Sequence, residues 1–330
     1  MRNTVFFCTF LSFFVSASLF SDEVDHVLLN RLRTEGVAGL RAQEGFLRSI
    51  HLVFERAVED RRFEYDYYAS SDNFLLKMEI PADMREAMPE HGEYRQGKNN
   101  NYFFEISKKK SESQWKLDEC SDLNSFAPEN YSVADIFDVF PCYISMTPLS
   151  EVLEHPGFEI THIEYVTDQS EETVSLDFEI NADGVVKGNE SLRTGNIQLL
   201  PTRNWAIKEM TLNSNRGGKT FVTTFNFAYG VDNKEPYQVE HVESRLFFNP
   251  DDLSKFTSWN YVVRKVDDAK VPKKELYLKY YGIDEPKIAG SHIGWVRYAL
   301  VIVGVLAILA GTVRIVCRRR HESGDANTES

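Results

Sequence analysis

The chain has 330 residues and a net charge of −13, and the acidic charge argues against a nucleic-acid partner because nucleic acids are bound by basic surfaces. A chain of this length can bury a substantial core in one large domain or in two smaller ones. Its four cysteines are too few for a fold held together mainly by disulfides.

The first 21 residues have the features of a secretory signal peptide. Arg2 gives a positive start, residues 5–20 are mainly apolar, and a pattern of small residues suits cleavage after Ser18. Cleavage after Ser21 is an alternative. An uncleaved anchor is a third interpretation, because the apolar stretch is unusually rich in phenylalanine. The sequence therefore predicts that the chain is exported from the cytoplasm.

A second apolar segment, residues 294–317, is predicted to form a transmembrane helix, since about 20 mainly apolar residues are needed to cross a bilayer. The arginine cluster Arg318–Arg320 follows directly, and such clusters mark the cytoplasmic side. We therefore expect a single-pass protein of the cell membrane. Its signal peptide would cover residues 1–21, its extracytoplasmic β-rich domain 22–293 and its cytoplasmic tail 318–330.

Alternating hydrophobicity predicts that the extracytoplasmic domain is mainly β. Apolar side chains recur at every second residue in FEYDYYAS (63–70) and NFLLKMEI (73–80), as in antiparallel strands with one buried face. Similar segments follow along the chain, and the last of them is ELYLKYY (275–281). These patterns predict one large antiparallel sheet.

Helical periodicity is confined to three segments. Residues 22–47 are expected to form one helix, or two helices broken near Gly36, and the segments 133–140 and 149–154 are shorter helix candidates. The predicted fold class is therefore mainly β (α+β). It combines an N-terminal helix, a large antiparallel sheet, for which a family resemblance described below implies a curved, half-barrel-like form, and one C-terminal transmembrane helix.

Cys120 and Cys142 are the cysteines of the predicted extracytoplasmic domain. In an oxidising compartment we expect them to form a disulfide, which would close a loop of about 20 residues and stabilise the fold by roughly 3 kcal/mol. The alternative is two separate thiols.

The aromatic content, 23 Phe, 15 Tyr and 4 Trp, is the compositional feature that suggests binding. Large side chains on one face of a curved sheet can line an apolar cavity, on the order of 300 Å³ or more for an acyl chain. They can equally form an ordinary sheet core, because aromatic residues favour strands. The residues predicted to bind a ligand are Phe63, Tyr65, Tyr67, Phe74 and Leu76.

Motifs for catalysis or for cofactors are missing from the sequence. It contains no G-x-S-x-G, no glycine-rich dinucleotide motif, no P-loop and no H-E-x-x-H, and its histidines do not pair at the spacing of metal ligands. No catalytic residue, metal site or cofactor is predicted, and the protein is not expected to be an enzyme.

The order of elements over residues 23–282, a helix followed by meandering strands with a helical insert, resembles the lipoprotein-carrier (LolA/LppX-like) family of bacterial envelopes. This resemblance implies a half-barrel sheet over an apolar cavity. The segments NNNYFFEISKKK (99–110), QWKLDE (114–119) and ELYLKYYGIDEP (275–286) are similar to segments of uncharacterised single-pass proteins of the bacterial envelope. That second family implies no activity.

Two functions are compatible with these features. The first is a membrane-anchored extracytoplasmic protein that binds lipid or lipoprotein acyl chains in the cell envelope. The alternative is a protein-interaction or envelope-sensing ectodomain without a small-molecule ligand. The expected partners are the membrane, through the C-terminal helix, a lipid or lipoprotein, and another membrane protein.

Overall fold

A computed structural model describes residues 25–286 except for 80–91, 128–131, 169–170, 231–238, 251, 253 and 269. The predicted signal peptide, the predicted transmembrane span 294–317 and the predicted tail lie outside the described residues.

The N-terminal helical segment consists of α1 (His26–Arg31), a π-helical turn (Leu32–Gly36) and α2 (Val37–Leu47). The side chain of Asp25 begins it by accepting hydrogen bonds from the backbone N–H groups of Val27 and Leu28. The chain stays right-handed helical through the π turn, so the segment near Gly36 does not break. Its buried side chains, which face the core, are Leu28, Leu32, Val37, Leu40, Gln43, Glu44 and Leu47.

The remaining described elements are mainly strands. Their bounds are β1 His51–Val58, β2 Arg61–Ser70, β3 Asn73–Glu79, β4 Glu93–Lys98, β5 Tyr102–Lys108, β6 Lys116–Asp122, β7 Tyr143–Ile144, β8 Thr147–Pro148, β9 Phe158–Asp168, β10 Glu171–Ile180, β11 Leu192–Leu200, β12 Ala206–Arg216, β13 Lys219–Tyr229, β14 Val239–Phe247 and β15 Phe256–Asp267. The predicted large antiparallel sheet is confirmed.

Within the described residues, 13 of these strands form one sheet in the order β6-β5-β4-β3-β2-β1-β15-β14-β13-β12-β11-β10-β9. Strands β1–β6 form one meander and β9–β15 form another. The antiparallel pairing of β1 with β15 joins the two meanders. The short strands β7 and β8 pair only with each other.

The inner face of the sheet is the one that carries Leu52, Phe54, Tyr65 and Tyr67, and it packs into a single core with the N-terminal helices. Residues 132–154 cover part of this face. They contain a 3-10 helix (Ser132–Val139), the strands β7 and β8, and α3 (Leu149–Glu154). Helical structure is therefore confirmed at both of the shorter predicted helices.

The outer face of β3–β6 is covered by residues 270–286. Leu278 packs with Tyr102, Phe104 and Ile106. The side chain of Asn99 donates a hydrogen bond to the carbonyl oxygen of Leu276, with 2.7 Å between nitrogen and oxygen.

This covering segment contains two 3-10 turns, Lys273–Leu276 and Leu278–Tyr281, instead of the predicted strand at 275–281. The alternation of apolar residues there reflects contacts with the outer face of the sheet and not membership in the sheet.

The predicted fold class needs one correction. Among the helices of the described residues, none has both the length and the apolar character required to cross a membrane. The C-terminal transmembrane helix is therefore not part of the fold class that the structure supports.

The predicted disulfide is also absent, because Cys120 and Cys142 are both free thiols in the structure. Cys142 is fully buried in the core on the inner face. Cys120 packs against the outer-face cluster around Phe104. The two thiols belong to opposite faces of the sheet, so the sheet itself separates them.

We expect iodoacetamide to modify half-exposed Cys120 much faster than buried Cys142 in the folded protein. After unfolding without reductant, both thiols should be modified, and peptide mass spectrometry would show this. If neither thiol reacts in the unfolded chain, the two cysteines are oxidised and the free-thiol state is refuted.

Gly97 allows β4 to pack against the ring of Phe104. A Cβ at position 97 would lie 2.3 Å from Cζ of Phe104, whose side chain is fully buried. Gly97→Ala should therefore lower the free energy of unfolding by about 1–3 kcal/mol, measured by urea denaturation. Gly45→Ala is the matched control, since no atom lies within 4 Å of the added Cβ, and in a helix it should stabilise by up to about 1 kcal/mol. Equal effects of the two substitutions would contradict this packing.

Candidate binding pocket

A pocket of about 260 Å³ lies between the inner face of β2 and β3, the end of α2 and the segment that contains the 3-10 helix. Six of the 14 residues that line it are aromatic. They are Tyr67, Phe74, Phe126, Phe137, Phe140 and Tyr143. The pocket is therefore built from parts of the chain that are far apart in sequence.

The sheet side of the pocket follows from the pleat of two strands. Tyr67 and Ala69 alternate with outward-facing residues on β2, and Phe74 on β3 lies directly opposite Ala69. Ala69 also lines the pocket, and its small side chain leaves space in front of the sheet beside the rings of Tyr67 and Phe74, which contact each other with centroids 6.2 Å apart.

The opposite side is an aromatic cluster that begins on the 3-10 helix. The ring of Phe137 meets that of Phe140 edge-on at 6.1 Å and lies 5.2 Å from that of Tyr143. Phe126 completes the wall, stacked on the buried ring of Phe103 at 4.4 Å. Rings packed in this way hold one another in place, so the pocket has a defined shape.

Polar side chains also line the pocket. The side-chain oxygen of Asn73 is buried and has no hydrogen-bond partner among the described residues. Burial raises the pKa of Tyr67 above its usual range, and it does the same for Tyr143.

Two cations and one carboxylate lie where the pocket meets solvent. Arg48 is exposed and Lys98 is half-buried, with its ammonium group 5.8 Å from the centroid of the Phe126 ring. Neither cation forms an ion pair within the described part of the chain. Asp72 also lines the pocket, so the three charged groups carry one net positive charge.

The five residues predicted to bind a ligand all lie on the inner face, but the structure divides them. Tyr67 and Phe74 line the pocket. Tyr65 and Leu76 are 2% and 0% exposed within the core, and Phe63 packs against the core from its edge. Ligand binding by these residues stays a prediction. The residues that the sequence reasoning missed are Arg48, Lys98, Phe126, Phe137, Phe140 and Tyr143.

A buried polar cluster anchors the 3-10 helix to the same face of the sheet. Asp135 accepts hydrogen bonds from Arg56 on β1 and from the hydroxyl of Tyr65 on β2, the latter at 3.1 Å. Asp138 accepts one from the hydroxyl of Tyr261 on β15 at 2.8 Å. The helix that walls the pocket is thus held by two carboxylates.

Burial raises the pKa of Asp138 to about 7. The hydrogen bond from Tyr261 lowers this pKa, the negative charge of Asp135 raises it, and the charge of Arg56 lowers it. Burial also raises the pKa of Asp135, against the charge of Arg56. The cluster therefore contains a carboxyl group that titrates near neutral pH.

A separate groove of about 390 Å³ surrounds His51 on the outer face. The ring of His51 lies between Asp66 on β2 and Asp267 on β15, at nitrogen–oxygen distances of 2.8 and 3.0 Å, and stacks on Tyr68 with centroids 4.1 Å apart. Lys265 in turn pairs with Asp267. These contacts connect three strands of the sheet, which gives the groove a structural role.

No group of three or more His, Cys, Asp or Glu side chains is placed to hold a metal ion in the described ranges. The chemistry that the geometry does offer is binding: an apolar pocket with charged groups at its mouth.

Comparisons with known proteins add little to this geometry. No family model and no curated protein matches the chain. The likeness to lipoprotein carriers is therefore not confirmed.

Among solved structures, the complex of MucA and MucB from Pseudomonas aeruginosa is 7% identical, with a TM-score of 0.22 over 70% of this chain and 93% of that one. A DNA polymerase sliding clamp from the same organism is 10% identical, with a TM-score of 0.12 over 74% and 64%. TM-scores this low carry no argument about fold or function.

Replacing Ala69 with leucine tests whether the pocket is open space. The larger side chain should enter the pocket, so Ala69→Leu should change the free energy of unfolding by less than about 1 kcal/mol. Ala206→Leu is the control, because Ala206 is 2% exposed and does not line the pocket. It should destabilise by about 1–3 kcal/mol through overpacking. Chemical denaturation of both variants measures this, and an equal loss at both positions would mean that the pocket is filled.

Proposed function

We propose that the protein is a non-catalytic interaction domain of the cell envelope that recognises a partner protein by holding one apolar side chain of that partner in the aromatic pocket. The observation that carries this proposal is the pocket of about 260 Å³ with two cations and one carboxylate at its mouth, a net charge of one positive unit. Residues 1–21, predicted to be a signal peptide, support a location outside the cytoplasm.

The size of the pocket favours a side chain over a lipid. Pockets for small molecules usually have volumes of about 300–1,000 Å³, and this pocket is below that range. The next inward-facing residues along β2 and β3, Tyr65 and Leu76, are packed into the core and do not line the pocket. One aromatic or large aliphatic side chain fits such a space, and buried anchors of this kind dominate the affinity of protein interfaces.

The charges at the mouth indicate what should flank the anchor. Arg48 and Lys98 lack an ion pair among the described residues, and the chain as a whole carries a net charge of −13. An acidic partner would be repelled by most of the surface and attracted at this mouth, which favours one orientation. The predicted partner segment therefore has an apolar residue between carboxylates.

Short peptides test this prediction directly on the full-length protein. A fluorescent peptide with a central phenylalanine between pairs of glutamates should bind at least about tenfold more tightly than the same peptide with a central alanine. A version flanked by lysines should also bind more weakly. Fluorescence anisotropy titrations give the dissociation constants.

Protein variants locate the binding site. Ala69→Leu should block the pocket. The double variant Arg48→Glu and Lys98→Glu should lower the affinity for the acidic peptide by about tenfold or more. Lys110→Glu is the charge control, because Lys110 is exposed in the β5–β6 hairpin and does not line the pocket.

Two results would overturn the proposal: equal affinities for the phenylalanine and alanine peptides, or a lipid that copurifies with the protein and is lost in Ala69→Leu. Native mass spectrometry detects such a lipid, and its presence would establish acyl-chain binding instead.

A further inference from the structure

The 3-10 helix Ser132–Val139 has two functional sides. Val133 and Phe137 line the pocket, whereas Asp135 and Asp138 contact polar groups of the sheet. Any change in how the two carboxylates are held therefore acts on the pocket wall.

The charges around the two carboxylates do not balance. Arg56 from β1 is the cation of the cluster, and it is bonded to Asp135. The other titratable groups that face it are Tyr65 from β2 and Tyr261 from β15, which are neutral donors. When both aspartates are ionised, one negative charge has no counter-charge among these neighbours.

Among the described residues, no cation from the other elements that pack against the helix forms an ion pair with Asp138. On β4 the side-chain oxygen of Gln96 accepts a hydrogen bond from the backbone N–H of Val133, and Lys98 lies on the pocket side of the helix. On β14 the residue paired with Tyr261 is Val242, which cannot titrate. On β7 the titratable side chain is Tyr143, whose pKa burial raises. An uncompensated charge at a half-buried position is costly, and binding a proton removes the cost.

We propose that the helix is held on the sheet by a proton on Asp138, and that loss of this proton loosens the helix and weakens binding in the pocket. The effect on binding rests on the proposed function, whereas the effect on the helix does not. Binding of the partner in the pocket would therefore be stronger in a mildly acidic compartment and weaker in an alkaline one.

The pKa of Asp138 supports this assignment, since burial raises it to about 7 in the folded protein from an ordinary value near 3.8. A carboxyl whose folded pKa is raised contributes stability that is fully present below its unfolded pKa. That stability is lost as the pH rises through the folded pKa. The loss is therefore expected between about pH 4 and 7, with the steepest change in the helix near neutral pH.

Cys142 provides a readout that needs no ligand. It is fully buried and lies three residues after the helix ends. Alkylation of Cys142 should be several-fold faster in the wild type than in Asp138→Asn at about pH 8, and equal in the two at about pH 6. Comparing the two proteins at each pH cancels the ordinary increase in thiolate with pH.

Denaturation midpoints provide the second readout. The urea midpoint of the wild type should fall relative to that of Asp138→Asn between about pH 4 and 7. Asp135→Asn frees Arg56 to pair with Asp138, and the positive charge favours the ionised form of Asp138. The fall in the urea midpoint should therefore move to lower pH in this variant. If Asp138→Asn does not fold, Tyr261→Phe replaces it. This variant removes the hydrogen bond that stabilises the ionised form of Asp138. The fall in the urea midpoint should therefore move to higher pH.

The peptide titrations, repeated across the same pH range, separate the two proposals. If the alkylation rate of Cys142 and the urea midpoint respond to pH but no peptide binds at any pH, the proton-dependent attachment of the helix is supported and the proposed function is refuted. If the peptide binds but the wild type and Asp138→Asn show the same pH dependence of peptide affinity, Cys142 alkylation and urea midpoint, only the proton-dependent attachment of the helix is refuted.

Discussion

The backbone pairing of β1 with β15 joins residues 51–58 to residues 259–267 and makes one sheet out of two meanders. Side chains reinforce it on both faces. On the outer face His51 connects Asp66 with Asp267, and on the inner face Arg56 lies directly opposite Tyr261. Because the polar cluster under the 3-10 helix uses these last two residues, the candidate site depends on the same junction that holds the fold together.

The pocket illustrates how a sheet protein can acquire a binding site without a site motif. The sheet supplies Tyr67 and Phe74 at a point where Ala69 leaves space, and a segment inserted between the two meanders supplies Phe137 and Tyr143. Neither part is a pocket alone. The insert therefore acts as the second wall, and the polar cluster beside it fixes the distance between the walls.

The sequence is informative where a residue's neighbours lie in the same strand or in the next one. Alternation correctly places Tyr65, Tyr67, Phe74 and Leu76 on one face, because the strand pleat has a fixed period of two. It cannot show that Tyr67 meets open space while Tyr65 meets a packed core, since that depends on where the insert lies.

The same limit explains the errors at the cysteines and at the end of the domain. The spacing of Cys120 and Cys142 permits a disulfide, but their positions on opposite faces of the sheet do not. Leu276 and Leu278 alternate like strand residues, yet each docks separately on the outer face.

The pairing of β1 with β15 also determines the order in which the sheet can be completed. The ribosome makes β15 about 200 residues after β1, which at roughly 5–20 residues per second is a delay of about 10–40 s. During that interval the newly made N-terminal meander exposes the edge of β1, with Leu52 and Phe54 on its apolar face. An open apolar edge can pair with another chain, so the first half of this protein is the part that has to be shielded until the last strand arrives.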